Sequence, residues 1–530
     1  VAPERFFNEA FQVRLETLDV SMLAIDEAHC ISQWGHAFRP DYRRLPEVIS
    51  RWNIPVTLAL TATASVPVIK EMRSHLGIDR SNVVTAPLRR PNLRLRRTIV
   101  GDQSRDALLM ERLQVPRRGS TIVYVTRRRT AESLAETICE SGLPAMAYHA
   151  GMDHADRDKN LSTFMDANDA IIVATVAFGM GVDKPNIRRV IHYNLSSSVE
   201  AYSQEIGRAG RDGKPATCET LLVPEDRFEL ENLACGDLPT LDSVERLLER
   251  LIGQPDLFAI AHGKLAWETN LRPGVLASLM LHLQSIGHLE SLPARYDIYR
   301  IQPLISLTSI VAKSDRQQDH FGTIVDHLTK SRRDHRLNLI VASKASGVSR
   351  HDLIRAMQSM ADRGWIEWTP GDLMHVYRWL QRPARAKRLA KKLLAQSWKS
   401  IDQVRDRLTS LIHLLSADDC VANGLSSHFG RRISKPCGKC SVCTGDFAGD
   451  LTVRSPRTIG SGAQSLLASA VAQFPDVFSD PVDRAKFLCG LTTPEMSRHR
   501  LYQHPGFGTC DAVGFQIVLR DVTGTSPTAS

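Results

Sequence analysis

The chain has 530 residues, 43% of them hydrophobic, and its 67 Lys+Arg against 58 Asp+Glu leave a formal net charge of +9. This length suggests three or four domains of roughly 150 residues each, and the basic excess favours polyanions as partners. No apolar run approaches membrane-helix length and no signal segment opens the sequence, which argues against a membrane partner; ten cysteines, mostly without a pairing pattern, point to a reducing compartment.

In chain order, the first distinctive element is the apolar run Met22 to Ile25. It reads as a short buried parallel strand that delivers Asp26 and Glu27 to its C-terminal end, where open α/β sheets bind ligands. One carboxylate there suits the hydration shell of Mg²⁺ and the other the orientation of an attacking water. A bare acidic pair would read more simply as an acidic turn, but the residues after Asp26-Glu27-Ala28-His29 weigh against that. Cys30 to Tyr42 hold Trp34 and Phe38, with stacking faces, and Arg39, with a charge for phosphate or cation-π contact. With Gly35 and His36 among them they make a poor core segment.

Small hydroxyl residues recur in Ala59-Leu60-Thr61-Ala62-Thr63-Ala64, and Arg90-Pro91-Asn92-Leu93 follows. A second strand and helix unit opens with Thr121 to Val125 and a helix from about Ala131, and leads to Tyr148-His149-Ala150-Gly151, then Ala174 to Pro185, then Gln204 to Gly213. In the last string Arg208 and Arg211, three apart, are expected on one helix face aimed at a γ-phosphate. Gly207, Gly210 and Gly213 argue against an ordinary surface helix there.

These strings, in this order, resemble the RecQ family of DNA helicases. The DEAH box with its aromatic-rich loop and the string Gln204 to Gly213 are the most specific matches, and Ala174 to Pro185 resembles motif V. The resemblance implies Glu27 as the catalytic carboxylate, Asp26 as the metal carboxylate, and Arg211 as an arginine finger with Arg208 as its companion. It implies nucleotide-site roles for Asp26, His29, Gln204 and Asp183, and DNA contacts by Arg5, Trp34, Phe38, Arg39 and Thr175. ATP and Mg²⁺ are the implied cofactors, and single-stranded and branched duplex DNA the implied partner. Ala37 stands where the family usually has an acidic residue, which puts the positioning of the aromatic loop in question. Gly-Lys-Ser and Gly-Lys-Thr occur nowhere, so the backbone nest and lysine of a P-loop are absent. We therefore expect the chain to be a fragment that enters the family pattern partway through its first lobe.

Between residues 226 and 380 the sequence shows a faint repeat. Val275 to Gly287 reads as a helix with a glycine stop, then His288 to Leu292, a Pro-Ala-Arg turn and the alternating Tyr296 to Ile301; Leu353 to Gly364 repeats the plan with Trp365 to Trp368, a Thr-Pro-Gly-Asp turn and Met374 to Trp379. Helix, glycine and hairpin predict two winged-helix-like units, near 240–305 and 325–380. The basic patch Lys330, Arg332, Arg333 and Arg336 opens the second, while Trp365, Trp368 and Trp379 suit either a core or a duplex wedge. Arg382, Arg385, Lys387, Arg388, Lys391 and Lys392 follow with no acidic interruption, fitting a helix along phosphates or a solvated face.

Cys437-x2-Cys440-x2-Cys443 with Cys420 upstream has the spacing of a tetrahedral thiolate site, for structural Zn²⁺ or, second, an iron-sulfur cluster. Phe429-Gly430 and Pro436-Cys437-Gly438 also match the RecQ zinc module. Thr452 to Gly462 reads as a linker, Ala463 to Phe474 as helical, Pro505 to Gly508 as a turn and Thr523 to Ser530 as a disordered tail.

The expected architecture is α/β, with two RecA-like lobes, the first incomplete, followed by a mainly helical winged-helix-like region and a small zinc-binding module. The expected boundaries are 1–95, 96–225, 226–380, 381–446, and an unassigned, partly disordered 447–530. The implied activity is ATP-dependent 3′ to 5′ DNA unwinding in recombination and repair, in the cytoplasm with the nucleoid if bacterial and in the nucleus if eukaryotic. A non-catalytic DNA-binding or scaffold protein and an RNA-directed DExH helicase are the alternatives.

Overall fold

The computed structural model describes residues 1–32, 39–86, 90–100, 104–116, 119–179, 182–223, 225–314, 319–331, 334–431, 433, 435–446 and 458–524. Trp34, Phe38, Arg332, Arg333 and most of the expected linker and tail lie outside them. Among the described residues no helix is long and apolar enough to cross a membrane. The chain forms two compact units, one of residues 1–31, 39–60 and 239–396, the other of residues 32–38, 61–238 and 397–530.

The strands, in chain order, fall into four sheets. β1 (Met22–Ile25) and β2 (Val56–Ala59) form a parallel pair in the first unit. β3 (Leu93–Ile99), β4 (Ser120–Tyr124), β5 (Ala145–Tyr148), β6 (Ile171–Ala174), β7 (Ile187–His192) and β8 (Ala216–Leu222) form the six-stranded parallel sheet of the second, in the order β3-β8-β7-β4-β6-β5. β4 and β6 are buried along their whole length and split their side chains by the two-residue period of a strand. Ile122, Tyr124, Ile172 and Ala174 enter one core, and Val123, Ile171 and Val173 the other. The helices Arg105–Gln114 and Arg128–Glu140 cover the second face. Over the first lie Leu411 and Leu415 of the long helix Ala386–Ser416, then Val421, Leu425, Phe429 and Cys440. The expected boundary at residue 95 thus cuts through β3, whose Leu93 already pairs with Ala216.

The remaining strands are β9 (Leu257–Ala261), β10 (Leu289–Tyr296), β11 (Ile298–Pro303), β12 (Leu328–Lys330), β13 (His335–Asn338), β14 (Ile366–Pro370) and β15 (Leu373–Trp379), all in the first unit. They correct the expectation of two consecutive winged-helix units. The helices Pro273–Ser285 and Arg350–Asp362 form as expected, each followed by a glycine at positive φ. The strands after them do not close local hairpins. β10 continues through the expected Pro-Ala-Arg turn with a register shift between Leu292 and Arg295 and pairs with β15, Leu289 opposite Trp379, while β11 pairs with β13 and β14. The sheets are therefore β10-β15-β9 and β12-β13-β11-β14, and the strands β11 to β14 sit nested in sequence between β10 and β15. Burial supplies the reason. The apolar positions of β10 and β15 face the core of Leu247, Leu276, Met280 and Leu283, whereas Tyr299 and Ile301 of β11 belong with Leu337, Leu353 and Met357. All three tryptophans serve as packing: Trp379 is buried, Trp368 lies 5.2 Å from Tyr299 and Trp365 5.6 Å from Phe321 between ring centroids.

In the C-terminal stretch a helix forms at Ser461–Gln473, where Ala463 to Phe474 was expected to be helical, and most of the expected linker and tail lies outside the described residues. Among the described residues Ser461–Gln473, Pro481–Leu488, Pro494–Arg498 and Phe515–Thr523 are helices that share a core of Phe478, Phe487, Met496 and Phe515 with Cys235, Leu238 and Ile401.

Candidate functional site

The predicted site residues fall into two sets, one in each unit. In the first, β1 ends at Ile25, and the backbone of Leu60 lashes the turn that follows: Leu60 N donates to Ile25 O at 2.8 Å and Ala28 N donates to Leu60 O at 2.9 Å. Glu27 has φ of 50°, left-handed backbone that a non-glycine residue adopts at an energetic cost and that clusters at functional sites. Its N–H donates to Asp26 Oδ1 at 2.8 Å, so the two carboxylates share one tight turn. His29 is buried with Nδ1 3.3 Å from Glu27 Oε2, and Tyr42 donates its hydroxyl to Asp26 O at 3.3 Å. Burial pushes the neighbouring Cys30 thiol up to about 11, leaving it a packed thiol. Arg39 N donates to Cys30 O at 3.0 Å, joining the two ends of the aromatic loop, and Arg5 is exposed on the short 3₁₀ helix Pro3–Phe7.

In the second unit the helix Val199–Ile206 starts on Ser198, whose hydroxyl accepts from Ala201 N, and stops at Gly207. Arg208 and Arg211 thus lie in the turn beyond it, which corrects the expectation that they share a helix face. The reason is a clamp that the sequence did not reveal. Arg90 donates to Gly207 O at 2.8 Å and also to Gly210 O, while Asn92 Nδ2 donates to Gly210 O at 2.8 Å and Lys214 O at 2.9 Å. Gly210 has φ of 55°, and a Cβ there would lie 2.6 Å from Asn92 Nδ2, so glycine is required on both counts.

This turn gives the two arginines different surroundings. Arg208 is buried; a Cβ on Gly179 would lie 2.6 Å from its Nη2, so it fills the space beside the Ala174–Pro185 segment. Arg211 is partly exposed and donates from Nη1 to Asp183 Oδ1 at 2.7 Å. Gln204 is half-buried on the helix, and Thr175 is buried just past β6 with its N–H donating to Tyr148 O at 3.2 Å. His192 Nε2 lies 2.9 Å from Glu205 Oε2, which also accepts from Ser196, a buried polar tie at the strand ends. Lys184 donates to Met165 O at 2.8 Å and Ala167 O at 2.6 Å, closing the C-terminus of the helix His154–Asp166. A lone Arg-Pro-Asn or a lysine inside a motif carries no local period, so only the tertiary structure exposes such roles.

The four cysteines converge. Their Sγ atoms all lie within 4.8 Å of one another, with Cys437 to Cys443 at 3.8 Å and Cys440 to Cys443 at 3.5 Å. A tetrahedron with metal to sulfur bonds of about 2.3 Å has edges of roughly 3.8 Å, so the donor set fits one thiophilic ion with no open position. Backbone N–H groups point at the sulfurs: Cys437 N donates to Cys420 Sγ at 3.2 Å and Cys440 N to Cys437 Sγ at 3.3 Å. The site is wired to the sheet and to the arginine turn. Ser441 N donates to Leu95 O at 3.0 Å, Lys439 Nζ to Pro91 O at 2.5 Å, and His428 Nε2 lies 2.7 Å from Glu200 Oε1. Arg97, fully buried, donates to Leu415 O at 2.6 Å and Ala417 O at 2.8 Å.

Residues 104–213 match the helicase conserved C-terminal domain (Helicase_C). The chain is 40% identical over 237 residues to the ATP-dependent DNA helicase RecQ of Bacillus subtilis (44% of this chain, 40% of that protein). It is 37% identical over 252 residues to that of Pasteurella multocida (47% and 39%) and 42% identical over 224 residues to the ATP-dependent helicase wrn-1 of Caenorhabditis elegans (40% and 21%). In each case the match spans less than half of the relative's length. Over these residues the chain is similar to RecQ helicases.

Proposed function

We propose that the complete protein is an ATP-dependent DNA helicase that moves 3′ to 5′ on single-stranded DNA and separates branched duplexes in recombination and repair. The reading is supported above all by the clamped turn 207–214, which presents Arg211 toward solvent while burying Arg208 beside Ala174–Pro185. When bound, ATP with Mg²⁺ supplies the phosphoryl group whose transfer to water drives movement. Asp26 would hold the hydration shell of the ion, Glu27 would orient the water with His29 fixing its carboxylate, and Arg211 would offset charge on the phosphoryl oxygens. Gln204 and Asp183 border the nucleotide, and Arg5, Trp34, Phe38, Arg39 and Thr175 track the strand. The four cysteines hold a structural Zn²⁺. The protein works where its DNA is, with the nucleoid in a bacterium or in the nucleus of a eukaryote.

These 530 residues carry no Gly-Lys-Ser or Gly-Lys-Thr, and we read them as unable to turn over ATP alone. In a protein that also carries a P-loop segment, DNA should stimulate hydrolysis, and Glu27→Gln should lower kcat by about 10²–10⁴-fold with DNA affinity intact. Unchanged turnover in that variant removes Glu27 from its role. The same missing loop favours a second reading, a DNA-binding scaffold. It takes over if the extended protein binds DNA with no response to nucleotide.

A further inference from the structure

The two winged-helix-like units leave their third helices, the usual duplex readers, without free cations. Pro273–Ser285 contains no lysine or arginine. Arg350–Asp362 does, but Arg350 pairs with Glu9 at 2.9 Å, and His351 and Arg355 face Glu16 at 3.5 and 4.0 Å, so the N-terminal helix Glu9–Leu15 and its flank occupy that face.

The start of the long helix Ala386–Ser416 is the opposite case. Leu389, Ala390 and Leu393 are buried, while Arg385, Lys387, Arg388, Lys391 and Lys392 are all exposed. At 100° per residue these five fill one arc and the buried three the other. Arg382, just before them, pairs with Asp256 at 3.0 Å; among the described residues none of the five makes an ion pair. The first turn holds no acidic residue. Cations there oppose the positive end of the helix dipole, so the helix is less stable than it would be with acidic residues in the same places. A local rule broken with no packing gain marks a functional surface.

We propose that this arc, Arg385 to Lys392, docks the phosphate backbone of duplex DNA, in addition to the motor's own contacts. The proposal rests on the reading of the protein as a DNA motor. Residues 385–392 of a helix extend over about 10 Å, and B-form DNA presents one phosphate per roughly 1.7 Å of its axis, so each cation has a phosphate within reach. A rigid row of charges suits a rigid duplex better than a flexible strand.

The test is equilibrium binding of a blunt duplex to the full chain by fluorescence anisotropy across a salt series. The triple variant Lys387→Glu, Lys391→Glu, Lys392→Glu is compared with a charge-matched control, Lys159→Glu, Lys344→Glu, Arg500→Glu. We expect the α-helical signal of both to match the parent, and the melting temperature of the first variant to equal or slightly exceed it, since glutamates suit the start of a helix. The first variant should lose at least tenfold in affinity and two to three units of the log K against log salt slope, since each phosphate contact contributes about 0.9. An unchanged slope, or an equal loss in the control, overturns the proposal. So does equal loss of binding to duplex RNA, polyglutamate or anionic vesicles, which would make the arc a general polyanion surface. Because no ATP turnover is read, failure of the motor reading and failure of this one are distinguishable.

Discussion

The two parallel sheets of this protein contrast in completeness. In the second unit β4 and β6 are buried from end to end, covered on one face by helices and on the other by the long helix and the cysteine module. In the first, β1 and β2 pair only with each other among the described residues, and Met22, Val56, Leu58 and Leu60 stay 50%, 51%, 42% and 46% exposed. Parallel strands are normally covered on both faces. The comparison teaches that the second sheet is a finished core within the described residues, whereas the carboxylates Asp26 and Glu27 stand on a sheet that has further apolar surface to give.

The strongest way to break the contrast is to remove the metal implied by the four cysteines. Structural zinc contributes on the order of 10 kcal/mol to small modules, and here Val421, Leu425, Phe429 and Cys440 belong to the core of the complete sheet. Cys440→Ser should therefore abolish zinc stoichiometry and lower the melting temperature of the second unit by well over 10 °C. A variant with normal metal content would refute the ligand assignment.

A matched pair of truncations sharpens the same comparison. Ile172→Ala in the covered sheet should cost about 3–4 kcal/mol, and Leu58→Ala in the open one under about 1 kcal/mol, both read from denaturant midpoints. Equal costs would mean that something covers the β1 and β2 pair in solution.

Smaller again is the effect of Arg90→Ala. Loss of its bonds to the Gly207 and Gly210 carbonyls should raise amide exchange across residues 207–214 several-fold with about 1–3 kcal/mol of local destabilisation, and Arg90→Lys should restore part of it. No change in exchange would dissolve the clamp.

A last test concerns pH. Burial alone would push the Glu200 carboxyl up, but the hydrogen bond and charge of His428 outweigh it and hold it at about 2. A carboxyl lowered on folding adds stability that is present above its unfolded value and is lost as pH falls through the folded one. The second unit should thus lose this increment between about pH 4.3 and 2, and His428→Ala should flatten that window in an acid titration followed by circular dichroism. An identical acid limb in the variant would separate Glu200 from His428.

Much of this was legible in the chain itself. The DEAH turn, the cysteine spacing and the glycine-stopped helices Pro273–Ser285 and Arg350–Asp362 are local patterns, and local patterns survive without a structure. Partners of strands do not. Leu292 of β10 pairs with Val376 across a whole nested unit, and nothing in either alternating run names the other. The arginine pair failed for a related reason: periodicity placed Arg208 and Arg211 on a helix, but two side chains from Arg90 and Asn92, distant in sequence, end that helix at Gly207. Of the C-terminal helices Ser461–Gln473 was legible, but Pro481–Leu488, Pro494–Arg498 and Phe515–Thr523 were hard to assign because each is short and the shared core lies partly in Cys235, Leu238 and Ile401.

The nested sheets also impose an order of assembly. β15 is the middle strand between β10 and β9, yet it leaves the ribosome last, after everything between Tyr296 and Leu373. Until it arrives, β9 and β10 have no neighbour, whereas the inner sheet already holds all four of its strands. The inner unit is therefore free to fold during synthesis while the outer one waits, and a chain halted before Leu373 would leave β9 and β10 unpaired.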